Sequence, residues 1–247
     1  MNFLTLFTKT DLIAAHRGDR SAQPENTLAA LHSSIGKCDF IEIDVQLSSE
    51  AIAVVLHDET LERTSNAKSV YYTRTPWYID EFTVPELQKL DFGSWFNDKF
   101  EPMLSLKQAL EFAVEEQQYL NVEIKDMSEM EDDESVVQTV LDDIKQCGAE
   151  SLVLLSSFYH PYLLLSKKSA PNIPTAALME EKRDDMVAYM NALNVDACHL
   201  NDVIAEKESV KHLRQAGFGV NVYTVNDIAR QKELFSWGVN GVFTDHL

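Results

Sequence analysis

The sequence predicts an α/β protein, a closed parallel (β/α)₈ (TIM) barrel with a small insertion after the second strand. Three observations carry this. Short apolar runs alternate with stretches of helical period along most of the chain. Eight strand centres can be counted, the first three at Ile13, Ile43 and Val122. Charged residues gather at the ends of those first strands, where such barrels carry their sites. A doubly wound open sheet would share the alternation. Its GxGxxG fingerprint is absent, and Gly217-Phe218-Gly219 stands alone at the start of a strand. At 247 residues the chain suits one large α/β domain or two small ones, and the alternation favours a single barrel over residues 1–247.

Taken in order, residues 12–15 form an apolar run that opens into His16-Arg17-Gly18. Pro24-Glu25-Asn26-Thr27 starts a helix in which Leu28, Leu31 and Ile35 recur at helical spacing, and Gly36 closes it. Residues 40–47 alternate strictly. Glu42, Asp44 and Gln46 share one strand face, and Ile41, Ile43 and Val45 the other. A second apolar run, residues 53–56, delivers His57-Asp58. Residues 59–104 break the rhythm with nine aromatic residues and Pro76, Pro85 and Pro102. That is too long for a connecting loop, so it reads as an inserted subdomain. Its aromatics are expected to form a core of their own, with roofing of the site as the other use. Leu106, Ala109, Leu110 and Ala113 mark the next helix. Asn121, Glu123 and Lys125 then share a strand face. From residue 152 onward strands and helices alternate regularly to a last strand at 239–244.

The composition is that of a globular protein, and the net charge is −19. Such a surface repels nucleic acid and anionic membrane, so an anionic substrate needs local cations. Cys38, Cys147 and Cys198 are odd in number and far apart, which suggests reduced thiols rather than a disulfide framework. No signal peptide and no membrane span is evident. The expectation is a soluble cytoplasmic protein without membrane insertion.

Parallel barrel strands are usually apolar on both faces. Carboxylates and a lysine on neighbouring strands are costly there unless they are paired or metal-bound. Glu42, Asp44 and Glu123 form a hard oxygen set suited to a divalent metal, Mg²⁺ or Ca²⁺. Arg17 and Lys125 supply donors and positive charge for a phosphate. His16 and His57 arrive from separate segments and suit an acid/base pair for phosphodiester cleavage. The remaining histidines read as structural or exposed. His199 ends a strand, and a place in the site is the lesser of its two readings. Asn26 is expected to organise the first loop.

These residues resemble a known family. His16-Arg17-Gly18, Pro24-Glu25-Asn26-Thr27, Glu42-Ile43-Asp44-Val45-Gln46, Val55-Leu56-His57-Asp58, Leu61-Glu62-Arg63-Thr64 and Glu123-Ile124-Lys125 look like the motifs of the glycerophosphodiester phosphodiesterases. Ser156-Ser157-Phe158, Tyr223-Thr224-Val225-Asn226 and the stretch from Gly238 to Asp245 are similar too. The resemblance implies a (β/α)₈ barrel that hydrolyses small-molecule glycerophosphodiesters to glycerol 3-phosphate and an alcohol. It implies Glu42, Asp44 and Glu123 as metal ligands and His16 and His57 as the acid/base pair. It also implies that Arg17 and Lys125 touch phosphate. Tyr223 stands where the family usually has tryptophan, which would alter a substrate-lining position. Ser48-Ser49-Glu50-Ala51 replaces a Thr-x-Asp-Gly turn. Two other readings share these residues: a phospholipase D-like enzyme acting on lysolipids or sphingolipids, and a non-catalytic binder of phosphate ligands. The acid/base pair speaks against the latter.

Overall fold

The apolar runs form nine strands in the computed structural model, which describes residues 2–247. They are β1 (Leu12–His16), β2 (Phe40–Leu47), β3 (Ala53–Val55), β4 (Tyr119–Ile124), β5 (Val153–Ser157), β6 (Thr175–Met179), β7 (Ala197–Asn201), β8 (Gly219–Tyr223) and β9 (Gly241–Thr244). All except β3 run parallel, in the order β1-β2-β4-β5-β6-β7-β8-β9. β9 pairs back onto β1 and closes an eight-stranded barrel. The closed ring decides against the open sheet. The short β3 folds back antiparallel on β2, Val45 opposite Val55.

Among the described residues, seven helices of seven or more residues cover the barrel, and their starts are written in the sequence. Thr27 caps Leu28–Ser34, Ser105 caps Leu106–Glu116 in a capping box with Gln108, and Asp132 caps Asp133–Cys147. Their apolar faces pack on the outward side chains of the strands in two large clusters. Gly18 has φ +79°, and a Cβ there would stand 2.8 Å from the Ala30 Cβ. Only glycine lets the loop after β1 lie this close to the helix Leu28–Ser34.

The barrel interior changes character along its axis. At the N-terminal ends it is apolar, with Ala14, Phe40, Tyr119, Leu154, Ala176 and Ala197 in one cluster. The 3₁₀ turn Phe3–Thr8 closes this end. The ring of Phe3, fully buried, meets Phe40 and Tyr119 edge-on at 5.4 and 5.5 Å. The apolar patch at the start of the sequence is therefore the barrel's floor. Toward the C-terminal ends the inward residues become Glu42, Asp44, Asn121, Glu123, Ser156, His199 and Asn221, all buried.

Residues 59–104 gather round a separate apolar cluster that includes Leu61, Ile79, Phe82, Leu87, Leu90 and Phe92, with Tyr71 and Trp77 packed against it. The Arg74 guanidinium lies 3.7 Å from the Phe82 ring centre. Trp95, Phe96 and Phe100 are exposed. None of these aromatics lines the cavity at the C-terminal ends of the strands, so the roofing role is not taken up. No helix among the described residues is long and apolar enough to cross a membrane.

Candidate active site

A cavity of about 290 Å³ opens at the C-terminal ends of the strands. All eight residues singled out from the sequence line it: His16, Arg17, Glu42, Asp44, His57, Glu123, Lys125 and Tyr223. Strand register brings them together. Glu42 pairs with His16 across β1–β2, and Asp44 pairs with Glu123 across β2–β4. Register partners on parallel strands point to the same side of the sheet.

One oxygen from each of Glu42, Asp44 and Glu123 lies within 4.8 Å of the other two. Oxygens on opposite sides of a hard cation at about 2.4 Å stand about 4.8 Å apart, so the three fit around one ion. Glu42 uses Oε2 to accept the Arg17 backbone N–H at 2.9 Å, while its buried Oε1 has no partner in the chain. Asp44 accepts from Asn26 Nδ2 at 2.9 Å and lies 3.5 Å from Lys125 Nζ. Lys125 also donates to Glu123 at 2.8 Å. Burial drives Glu42 well above the carboxylate range, and the charges of Asp44 and Glu123 add to this. Burial and Asp44 push Glu123 up to about 7. Burial would raise Asp44 too, but Lys125 and Arg17 hold it below its ordinary value. Two cationic side chains thus leave the triad short of positive charge, and an orphaned carboxylate oxygen points to the same lack. The residues present fit a hard divalent cation.

Both histidines are held in the same way. His16 Nδ1 meets Asp245 Oδ1 at 2.7 Å, and His57 Nδ1 meets Asp58 Oδ1 at 2.7 Å. A carboxylate on Nδ1 keeps the proton there and leaves Nε2 free for chemistry. Gln46, third on the face of Glu42 and Asp44, donates to the carbonyls of Leu56 and Asp58 at 3.0 and 2.7 Å and so brackets His57. Burial, then the Lys125 and Arg17 charges, lowers His57 against the pull of Asp44 and Asp58. The opposite wall holds Phe158, Leu178, Glu180 and Tyr223. Tyr223 donates its hydroxyl to the Met179 carbonyl at 3.0 Å, and its ring stands edge-on to Phe158.

The sequence reading gave no role to Asp245, Arg20, Phe158 or Glu180, although Phe158 and Asp245 fall in stretches that resemble the family. Asp245 sits 229 residues from the histidine it holds, so spacing gave no signal. His199 does reach the cavity, but it is fully buried and pushed down to about 3 by that burial, so it stays neutral. Asn26 does organise the first loop, and its amide also ties that loop to Asp44.

Two imidazoles, two cationic side chains and a cation-ready triad round one cavity on a parallel barrel are an arrangement suited to phosphodiester chemistry. Residues 16–247 match the model of the glycerophosphoryl diester phosphodiesterase family. The glycerophosphodiester phosphodiesterase of Bacillus subtilis is 30% identical over 258 residues, covering 95% of this chain and 83% of that protein. That of Caldanaerobacter subterraneus is 31% identical over 240 residues, covering 95% and 93%. Among solved structures, a phosphodiesterase from Oleispira antarctica in complex with its product sn-glycerol-3-phosphate superposes with a TM-score of 0.87. It is 28% identical, with 98% of this chain and 95% of that one covered. The chain belongs to the glycerophosphoryl diester phosphodiesterase family.

Proposed function

We propose that this protein hydrolyses glycerophosphodiesters to glycerol 3-phosphate and an alcohol, using a divalent cation, Mg²⁺ or Ca²⁺, and the two histidines. The observation that carries the reading is the convergence of His16 and His57, each held on Nδ1 by a carboxylate, with Arg17 and Lys125 in one cavity. The product bound to the Oleispira antarctica relative supports the substrate class. Glu42, Asp44 and Glu123 would hold the cation, which when bound supplies Lewis-acid polarisation of the phosphoryl group.

Arg17 and Lys125 bind and orient the non-bridging oxygens of the diester. One imidazole takes the proton of the attacking hydroxyl through Nε2 as the new P–O bond forms. The other gives its proton to the leaving alkoxide as the old P–O bond breaks. That hydroxyl belongs to water, or to the substrate's own glycerol with water then opening the cyclic phosphate, so one water is consumed either way. Phe158 and Tyr223 line the wall beside the bound organic arm. The three unpaired cysteines support a reducing compartment, the cytoplasm.

One observation favours a second substrate class, the lysophospholipids. The exposed Trp95, Phe96 and Phe100 lie on the insert, and Asn97 bonds Gln23 in the loop after β1, which puts them at the cavity end of the barrel. The test is release of glycerol 3-phosphate from glycerophosphocholine with a chelator, then with Mg²⁺ or Ca²⁺ restored. Metal-dependent release supports the first reading. No release, together with choline release from lysophosphatidylcholine, replaces it with the second.

A further inference from the structure

An unbroken chain of polar contacts joins the two histidines. From His16 it runs to Asp245 at 2.7 Å, on to Arg20 at 3.3 Å, and from Arg20 to Glu25 at 2.8 Å. Glu25 accepts from both terminal nitrogens of Arg63, at 3.0 and 2.7 Å. Arg63 then grips Asp58 through Nε and a terminal nitrogen at 2.6 and 2.9 Å, and Asp58 holds His57 at 2.7 Å. Glu25 also accepts from Arg17 at 2.8 Å. Three guanidinium groups thus meet three carboxylates, with Glu25 at the centre and only 5% exposed. The network shares Arg17 with Asp44 of the triad and ends on the two imidazoles.

We infer that Glu25, Arg20 and Arg63 are positioning residues that set the orientation of both histidines from one buried hub. The inference rests on the reading of His16 and His57 as the acid/base pair. A carboxylate can fix an imidazole only if it is itself fixed. The two arms differ in this respect. Asp245 has a second anchor, since it accepts from Asn226 Nδ2 at 2.8 Å. Apart from His57, the Asp58 carboxylate has only Arg63 as a side-chain partner among the described residues. Lysine cannot replace Arg63, because the contacts to Asp58 and Glu25 need the planar fork of donors. The His57 arm therefore depends more on its arginine than the His16 arm does.

The experiment compares the wild type with Arg20→Ala, Arg63→Ala and Glu25→Gln on two substrates, glycerophosphocholine and the p-nitrophenyl ester of glycerol 3-phosphate. Both arginine side chains are partly exposed, so their variants are the ones expected to fold even where Glu25→Gln does not. On glycerophosphocholine, Arg63→Ala lowers kcat by about 10- to 100-fold, the range for losing an outer partner of a functional side chain. Arg20→Ala lowers it less, and KM changes little in either. Nitrophenolate leaves without a proton. One arginine variant, on the arm that holds the acid, therefore recovers its kcat on the aryl ester, and the other does not. Glu25→Gln recovers only part. A merely structural role would cost the same factor on both esters, and that result overturns the inference. So does an unchanged kcat in both arginine variants. Wild-type turnover alone decides the underlying reading: if neither ester is cleaved, that reading falls and takes the inference with it.

Discussion

Asp44 and Glu123 stand opposite each other in register on β2 and β4, both buried, yet they answer burial in opposite ways. Asp44 sits between Arg17 and Lys125 and stays below its ordinary value. Glu123 is pushed up to about 7, by burial first and then by the charge of Asp44. Without a cation, Glu42 and Glu123 hold protons in the folded chain at pH values where the unfolded chain has lost them. For these two groups the folded state binds more protons, so their contribution to stability falls as pH rises from about 4.5 through about 7. His199 and His57 are lowered by burial and act the other way below about 6.5, so the triad is read from the difference between two conditions. The gain in Tm from saturating Mg²⁺ or Ca²⁺ over chelator should grow across that window, because the ion replaces the protons. The metal's affinity should rise over the same window. A gain that stays flat or shrinks with pH there would contradict this account of the triad.

Removal of either imidazole tests the chemistry. His16→Ala and His57→Ala should each lower kcat by about 10²- to 10⁴-fold. Arg17 and Lys125 remain, so glycerol 3-phosphate should still bind measurably by calorimetry. The double variant should lose little more than the worse single one, since an acid and a base working in one step act as a unit. Full activity in the double variant would sink the mechanism.

The sequence carried this site because its signals are local. Glu42, Asp44 and Gln46 alternate, and alternation in a strand means a shared face. In the fold all three serve the same site. Two meet at the triad, and the third brackets His57. The inner polar face could also be read, because carboxylates are costly in a parallel barrel strand. Long-range pairing could not. Nothing near His16 in sequence announces Asp245, and nothing in the PENT stretch shows that Glu25 will gather Arg17, Arg20 and Arg63. The role of the first residues was hidden for the same reason. A short apolar patch has no period to read, and its partners Phe40 and Tyr119 are distant in the chain.

That patch makes a stability prediction separate from the site. Phe3 is fully buried and closes the barrel floor against Phe7, Phe40 and Tyr119. Phe3→Ala should destabilise the fold by about 3–5 kcal/mol, the usual cost of emptying a phenylalanine site in a core. Urea unfolding measures this. A loss under about 1 kcal/mol would mean that the floor collapses onto the space or that the plug contributes little.

The turn after β2 makes the opposite prediction, a gain. Ala51 has φ +55°, in the left-handed region that side chains with a Cβ disfavour. The turn is otherwise well held: Ala51 N–H donates to the Ser48 carbonyl at 2.9 Å, and Ser48 N–H donates to the Ile52 carbonyl at 3.0 Å. Ala51 is itself exposed, so its methyl group packs against little. Ala51→Gly removes the steric cost of the left-handed conformation, roughly 1–2 kcal/mol. It also loosens the unfolded chain, which takes back about 0.4–1 kcal/mol. The net gain should be about 0.5–1 kcal/mol, read as a rise in the urea midpoint with an unchanged slope. Activity should stay the same, because residue 51 does not line the cavity. A fall in the midpoint would show that the methyl group has a packing partner that outweighs the strain.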